Sequence, residues 1–118
     1  MLAGRAADAI DLFALDVYEH MQREEGNLFF SPLSIATSLA MAYAGAAGQT
    51  AAEMQQVLHA GAEPGFHAAF GELLDSIAAH SDHLIFGPKL SHLVVASAIW
   101  PENDAPIQQS FLDVIQGE

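Results

Sequence analysis

The chain lacks cysteine and contains very little positive charge. Its 118 residues include no cysteine, and 3 Lys plus Arg stand against 15 Asp plus Glu, which gives a formal net charge of -12. Without thiols the chain can form no disulfide, no thiolate metal site and no cysteine nucleophile. Nucleic acids and anionic membrane surfaces are bound through clustered Lys and Arg, so the charge balance argues against both as partners.

The chain also lacks an apolar run as long as a membrane span, which needs about 20 residues. Its long uncharged stretch, Asn27–Ala52, is interrupted by hydroxyl, amide, proline and glycine residues. We therefore expect a buried helix there. The opening MLAGRAADAIDLF has no long apolar segment after Arg5 and does not match a signal peptide. The protein then either stays in the cell or begins after processing, and the compartment is left open.

Apolar residues make up 52% of the chain, which is enough for one domain with a real core. Five stretches favour helices from their apolar spacing and their end signals. They are Ile10–Met21; Pro32–Ala44; a short helix from a Thr50–Glu53 capping box to Gly61; a helix after Pro64 with Phe66, Phe70, Leu73, Leu74 and Ile77 inward; and a helix from Pro106 with Ile107, Phe111, Val114 and Ile115 on one face.

The second helix has the clearest end signals and an unusual interior. Ser31 suits the N-cap, Pro32 suits the first helical position, and Gly45 is a natural terminator. Between them the helix carries three hydroxyl residues, which the spacing predicts on one shared face; they are Ser34, Thr37 and Ser38. A local explanation is open for each hydroxyl, because Ser31 can act only as a cap and the others can bond to a carbonyl one turn earlier.

Two stretches favour strands. Asn27–Phe30 is short and aromatic, which is typical of a brief strand. Leu93–Trp100 (LVVASAIW) is apolar on both alternating faces, which indicates a strand covered on both sides inside a sheet, with Trp100 in the core. Such a strand needs neighbours, and the rest of the chain offers no partner of similar length.

Several motifs, read in order, resemble the serpin family. The most specific is NLFFSPLSIAT, from Asn27 to Thr37, which closely resembles the opening of serpins. The similarity continues through the matching positions Leu39-Ala40-Met41, Gly45, Thr50, Glu53-Met54, Ala96-Ser97-Ala98-Ile99-Trp100 and Ser110-Phe111-Leu112, with Ser97 standing where the family usually has asparagine.

The resemblance implies an α+β fold, the serpin domain, which is a single large domain with three sheets and a shell of helices. Residues 1–118 would form its N-terminal part, with helices and one main-sheet strand at Leu93–Trp100, and would lack the reactive loop and the C-terminal strands. Serpins inhibit serine and sometimes cysteine proteases as suicide substrates, because the cleaved loop inserts into the main sheet. The implied partner of the full-length protein is a target protease, and the implied location is extracellular; this chain alone is expected to inhibit nothing.

The resemblance also implies a role for the hydroxyls. In serpins the start of the second helix lies under the main sheet, where the strands must part. On the matching positions, Asn27, Ser31 and Ser34 belong to this sheet-opening hinge. Small side chains let the strands slide, and hydroxyls can exchange hydrogen-bond partners between the closed and the opened sheet.

No catalytic, cofactor or metal site is expected. The stretch His80-Ser81-Asp82-His83 could offer a pair of histidines with an acid nearby as metal ligands, but no further committed ligand is evident, which favours a solvated loop over a metal site. The chain has no phosphate loop, serine elbow or paired catalytic carboxylates, so we do not expect an enzyme. The helix that matches the heparin-binding helix of some serpins, Pro64–His80, contains no Lys or Arg, which argues against heparin binding. A non-inhibitory serpin and a stand-alone helical interaction module are the alternatives.

Overall fold

The computed structural model describes residues 2–61, 65–81 and 95–116. Five helices lie within these ranges: α1 (Leu2–Met21), α2 (Pro32–Ala44), α3 (Gly48–Val57), α4 (Phe66–Ser81) and α5 (Gln109–Gln116). The described part of the chain is therefore helical and contains no strand. None of its helices combines the length and the apolarity that crossing a bilayer would require.

Helix α2 has the predicted bounds. It begins at Pro32 after the N-cap Ser31 and ends at Ala44 before Gly45. The Ser31 backbone is extended, with φ -112° and ψ 103°, and so leaves its side chain free to accept from the first turn. These end signals act within a few residues, which is why the sequence alone predicts them.

The core lies where α1, α2 and α4 pack together, with Leu58 from the turn after α3. Its large members are Phe13, Leu58 and Phe70, each no more than 5% exposed. Between them lie buried alanines from three helices, namely Ala6, Ala36, Ala40 and Ala69. Because alanine has the smallest apolar side chain, these positions let the helix backbones approach closely around the two phenylalanines.

Helix α1 is longer than predicted, because its first two turns are built on small residues that show no large-apolar spacing. Ala6 and Ala9 are buried there.

The predicted capping box at Thr50 is wrong. Helix α3 begins two residues earlier, at Gly48, and its N-cap Ala47 makes no side-chain hydrogen bond. Helix α5 begins at Gln109, three residues after Pro106. Helix α4 follows the prediction, with Phe70 buried and Glu72 outward.

The two predicted strands are not supported by the described residues. Residues 27–30 and 95–100 belong to no regular element. Phe29 is 99% exposed, and Trp100 is 90% exposed instead of lying in the core. A strand exists only when its backbone groups pair with another strand, and no such partner occurs in the described ranges. Residues 93 and 94 of the longer prediction, and residues 82 and 83 of the histidine loop, lie outside them.

Candidate hinge at the start of helix α2

The start of α2 holds two hydroxyls in direct contact. The Ser31 hydroxyl donates to the Ser34 Oγ at 3.0 Å. The backbone N–H of Ser34 donates to the Ser31 Oγ at 3.3 Å, and the N–H of Ile35 donates to the Ser31 carbonyl at 3.2 Å. Both serines are exposed. Ser31 is therefore the predicted N-cap and is also joined to the next predicted hinge residue.

The other two hydroxyls of α2 bond back along the helix. Thr37 donates to the Leu33 carbonyl at 2.7 Å, and Ser38 donates to the Ser34 carbonyl at 3.1 Å. Thr37 is buried, at 5% exposed, whereas Ser34 and Ser38 are exposed. The burial boundary therefore crosses the predicted shared face, with Thr37 on its buried side and the two serines on its exposed side.

Asn27 lies apart from the two serines. It is exposed and sits in the irregular segment before α2. Among the residues that the structure describes, no hydrogen bond joins Asn27 to Ser31 or Ser34. The structure thus brings together two of the three predicted hinge residues.

Helix α2 divides into a buried face and an outer face. Ala36, Thr37 and Ala40 are buried against the core. Ser34 and Ser38 lie on the other side, next to Ile35, which is 36% exposed. The expectation of a fully buried helix is therefore confirmed for one face only. No charged residue occurs in α2, so no ion pair from its own side chains fixes anything to the outer face.

The end of α2 has a contact that sequence reasoning missed. A Cβ built on Gly45 would lie 3.0 Å from both Cδ2 and Cε2 of the Phe111 ring. Gly45 has φ -99°, which any residue can adopt. Its lack of a side chain therefore serves the packing of α5 on α2 and is not required by the turn.

An aromatic cluster joins α2 to α4. Tyr43 lies with its ring centroid 5.3 Å from that of His67 and 6.0 Å from that of Phe66. Phe66 in turn contacts the Phe70 ring at 5.4 Å. Partial burial in this cluster lowers the pKa of His67 from its usual 6.5, because desolvation penalises the charged imidazolium. Sequence reasoning did not single out His67; its position one residue after Phe66 was the available signal.

A second missed contact ties α1 to the turn after α3. His59 Nε2 lies 2.7 Å from the Asp16 Oδ2. His59 adopts a left-handed backbone conformation, with φ 51°, which is uncommon for a residue with a side chain. In the same turn the Gln55 amide donates to the Gly61 carbonyl. These contacts hold the turn that places Leu58 in the core.

The geometry of the candidate hinge suits an exchange of hydrogen-bond partners better than catalysis or metal binding. Hydroxyls both donate and accept, so they can change partners without leaving an unpaired charge. The Ser31–Ser34 pair is exposed and lies on a helix surface free of charged side chains of its own. Within the described residues no group of three or more potential metal ligands forms.

Comparisons with known proteins agree with the motif at the start of α2. The family model described as serpin (serine protease inhibitor) matches residues 8–117. An uncharacterised serpin-like protein of Thermococcus kodakarensis is 34% identical over 112 residues, which cover 92% of this chain and 24% of that protein. Serpin B6 of Pongo abelii is 32% identical over 114 residues, 93% of this chain and 28% of that protein.

Other relatives match over a shorter length. A leukocyte elastase inhibitor of Xenopus laevis is 40% identical over 63 residues, which cover 52% of this chain and 17% of that protein. No solved structure matches the chain. The chain spans about a quarter of the length of the first two relatives. Since the family model covers nearly all of the sequence, the chain belongs to the serpin family.

Proposed function

We propose that this chain is the N-terminal part of a single serpin domain whose whole protein inhibits serine or cysteine endopeptidases. Inhibition proceeds by cleavage of a reactive loop and insertion of that loop into the main sheet. The chain contributes the helical base on which the sheet moves, and the partner of the whole protein is a target protease. The exclusion of nucleic acid, membrane surfaces and heparin as partners stays a prediction from charge.

The observation that carries this proposal is the outer face of α2. It presents Ser34, Ile35 and Ser38 to the surface, within a segment whose motif belongs to the family. A half-apolar face with small hydroxyls fits a surface over which strands slide. Residues 93–100, apolar on both faces, would then be one of these strands once neighbouring strands pair with it, which gives the whole protein an α+β fold.

The proposed hinge acts through its hydrogen bonds. When the sheet opens, the Ser31 and Ser34 hydroxyls can release each other and bond to strand backbone groups; Asn27 lies close enough along the chain to join them. Replacing Ser34 with Phe puts a bulky ring where strands must lie. We expect S34F in the whole protein to open the sheet prematurely and to promote linkage between chains.

Native gel electrophoresis after mild heating tests the hinge. The S34F protein should lose monomer to a ladder of oligomers, whereas Thr50→Phe, at an exposed hydroxyl residue of α3 away from the proposed hinge, should keep the monomer fraction of the unsubstituted protein. A monomer fraction equal to that of the unsubstituted protein would contradict the role of Ser34.

The reading frame beyond codon 118 tests the function itself. The longer product, incubated with a panel of serine and cysteine proteases, should form a 1:1 complex that survives denaturing electrophoresis, because a suicide substrate is trapped covalently. The 118-residue chain is the matched control and should leave protease activity unchanged. Loop cleavage without a complex would identify a non-inhibitory serpin and contradict the proposed inhibition.

A stand-alone helical interaction module is favoured by one observation, namely that among the described residues α1, α2 and α4 enclose a core to which no strand contributes. The same longer reading frame separates the two functions. A frame that continues with strands and a loop hinge of small residues supports the serpin inhibitor, and a frame that ends at or near codon 118 supports the helical module.

A further inference from the structure

Helix α5 is short and contains no buried residue. It has 8 residues, and none of them is enclosed by the core. Isolated helices shorter than about 12–15 residues are marginal in water. The Gln109 amide donates to the Asp113 carboxylate at 2.8 Å, but this hydrogen bond lies within α5 and ties it to nothing else. The helical state of α5 must therefore come mainly from packing against another element.

The packing of α5 is concentrated at the C-terminal end of α2. Among the described helices, α5 packs mainly against α2. The half-buried Phe111 ring lies over Gly45, where a Cβ would come within 3.0 Å of two ring carbons. Val114 of the same helix is 44% exposed. The ring of Phe111, seated where Gly45 has no side chain, is thus the close contact that fixes α5.

Helix α5 also limits where the apolar residues 95–100 can lie. An irregular linker, residues 101–108, joins the two. The linker contains a turn in which the N–H of Ala105 donates to the Glu102 carbonyl at 3.1 Å and Asp104 has a left-handed φ of 79°. Because eight residues extend no further than about 28 Å, residues 95–100 stay close to α2 for as long as α5 is seated on it.

We propose that α5 is a conditional helix that acts as a clasp, ordered only while Phe111 lies over Gly45. When the ring leaves Gly45, α5 loses its helix and the linker is released, while α1, α2 and α4 keep their core, to which α5 contributes no residue. The proposed function enters only in what the clasp serves, since in the whole protein an open clasp would free residues 95–100 to shift with the sheet.

Amide hydrogen exchange of the 118-residue chain, followed by NMR, tests the clasp. In the unsubstituted chain the amides of residues 113–116 donate within the helix, and we expect them to exchange at least about tenfold slower than in an unstructured peptide. Phe111→Ala should bring them to within about twofold of the unstructured rate, although alanine is the better helix former. The middle turns of α1, α2 and α4 should stay protected.

The control for this loss is Val114→Ala, which truncates a more exposed apolar side chain of the same helix and should keep α5 protected. Unchanged protection of α5 in Phe111→Ala would overturn the proposal, because the helix would then not depend on the ring. An equal loss of protection in α2 and α4 would overturn it as well, because α5 would then be part of the core and not a separate clasp.

A compensating pair tests the contact itself. Phe111→Leu should by itself lower the protection of α5, but in the Gly45→Ala background it should raise it by about threefold, because the smaller side chain leaves room for the new Cβ. In the control background Gly71→Ala, where a Cβ meets no atom within 4 Å, Phe111→Leu should lower the protection as it does in the unsubstituted chain. An equal loss in all three backgrounds would show that Phe111 is not seated on Gly45.

These measurements need no protease. Their failure overturns the clasp, whereas the absence of a protease complex with the longer product overturns the proposed inhibition.

Discussion

Two regions of the chain differ in how deeply their apolar side chains are buried. Helices α1, α2 and α4 enclose Phe13, Leu58 and Phe70, each no more than 5% exposed. Residues 95–100 are equally apolar in sequence, yet Ile99 is 39% exposed and Trp100 is 90% exposed. A helix satisfies its backbone within itself and needs only one covered face, whereas a strand needs a partner for every backbone group. The comparison teaches that apolar composition alone does not produce burial.

The largest expected effect tests the helical region. Phe13→Ala or Phe70→Ala removes a ring from the core, and we expect the free energy of unfolding to fall by about 3–5 kcal/mol. Trp100→Ala should change it by less than about 0.5 kcal/mol, because the indole is exposed. Urea denaturation of the three variants measures both. A Trp100→Ala loss as large as that of Phe13→Ala would erase the difference between the two regions.

A smaller effect tests the packing of α5 on the helical region. Gly45→Ala puts a Cβ 3.0 Å from the Phe111 ring, so the ring must shift, and overpacking of this kind costs about 1–3 kcal/mol. The control is Gly71→Ala, where a Cβ has open space and where we expect a gain of about 0.5–1 kcal/mol. Thermal unfolding compares the two, and a stabilised Gly45→Ala variant would show that α5 is not packed there.

The N-cap of α2 should contribute to the free energy of unfolding by an amount comparable to, or smaller than, the effect of Gly45→Ala. Ser31→Ala removes the acceptor of the Ser34 N–H, and we expect a loss of about 1 kcal/mol. Ser38→Ala should cost less, because its hydroxyl only adds a bond to a carbonyl that is already in the helix. Equal losses in urea denaturation would indicate that Ser31 does not act as a cap.

The smallest effect is a dependence on pH within the helical region. Burial lowers the folded-state pKa of His67 below 6.5, so the unfolded chain binds its proton first as the pH falls. Well above pH 6.5 the imidazole is neutral in both the folded and the unfolded chain, so it does not change the free energy of unfolding with pH. The free energy of unfolding then declines as the pH drops from 6.5 toward the folded pKa. His67→Phe keeps an aromatic ring and should show a shallower decline between pH 7.5 and 5.5. His20→Gln, at an exposed position, is the control histidine, and a wild-type slope retained by His67→Phe would contradict the assignment.

Sequence reasoning succeeded where local signals decide the structure. The bounds of α2 follow from Ser31, Pro32 and Gly45, and the inward face of α4 follows from its apolar spacing. It missed the first turns of α1, because their burial rests on alanines that carry no periodic signal. It misplaced the start of α3, because the Thr50 and Glu53 pattern lies inside a helix that began at Gly48.

The candidate site was predicted in part. The Ser31–Ser34 contact lies within one turn and could be read from the motif. The contacts of Gly45 with Phe111 and of Asp16 with His59 join residues more than 40 positions apart, and their pairing depends on how the helices pack. No local pattern in the sequence contains that information.

Amide hydrogen exchange of the 118-residue chain tests most directly whether the helices form a base that stands without the sheet. We expect slow exchange in the middle turns of α1, α2 and α4, and exchange at the rate of an unstructured peptide in residues 95–100. Fast exchange throughout α2, or protection of residues 95–100 equal to that of α2, would contradict this division of the chain.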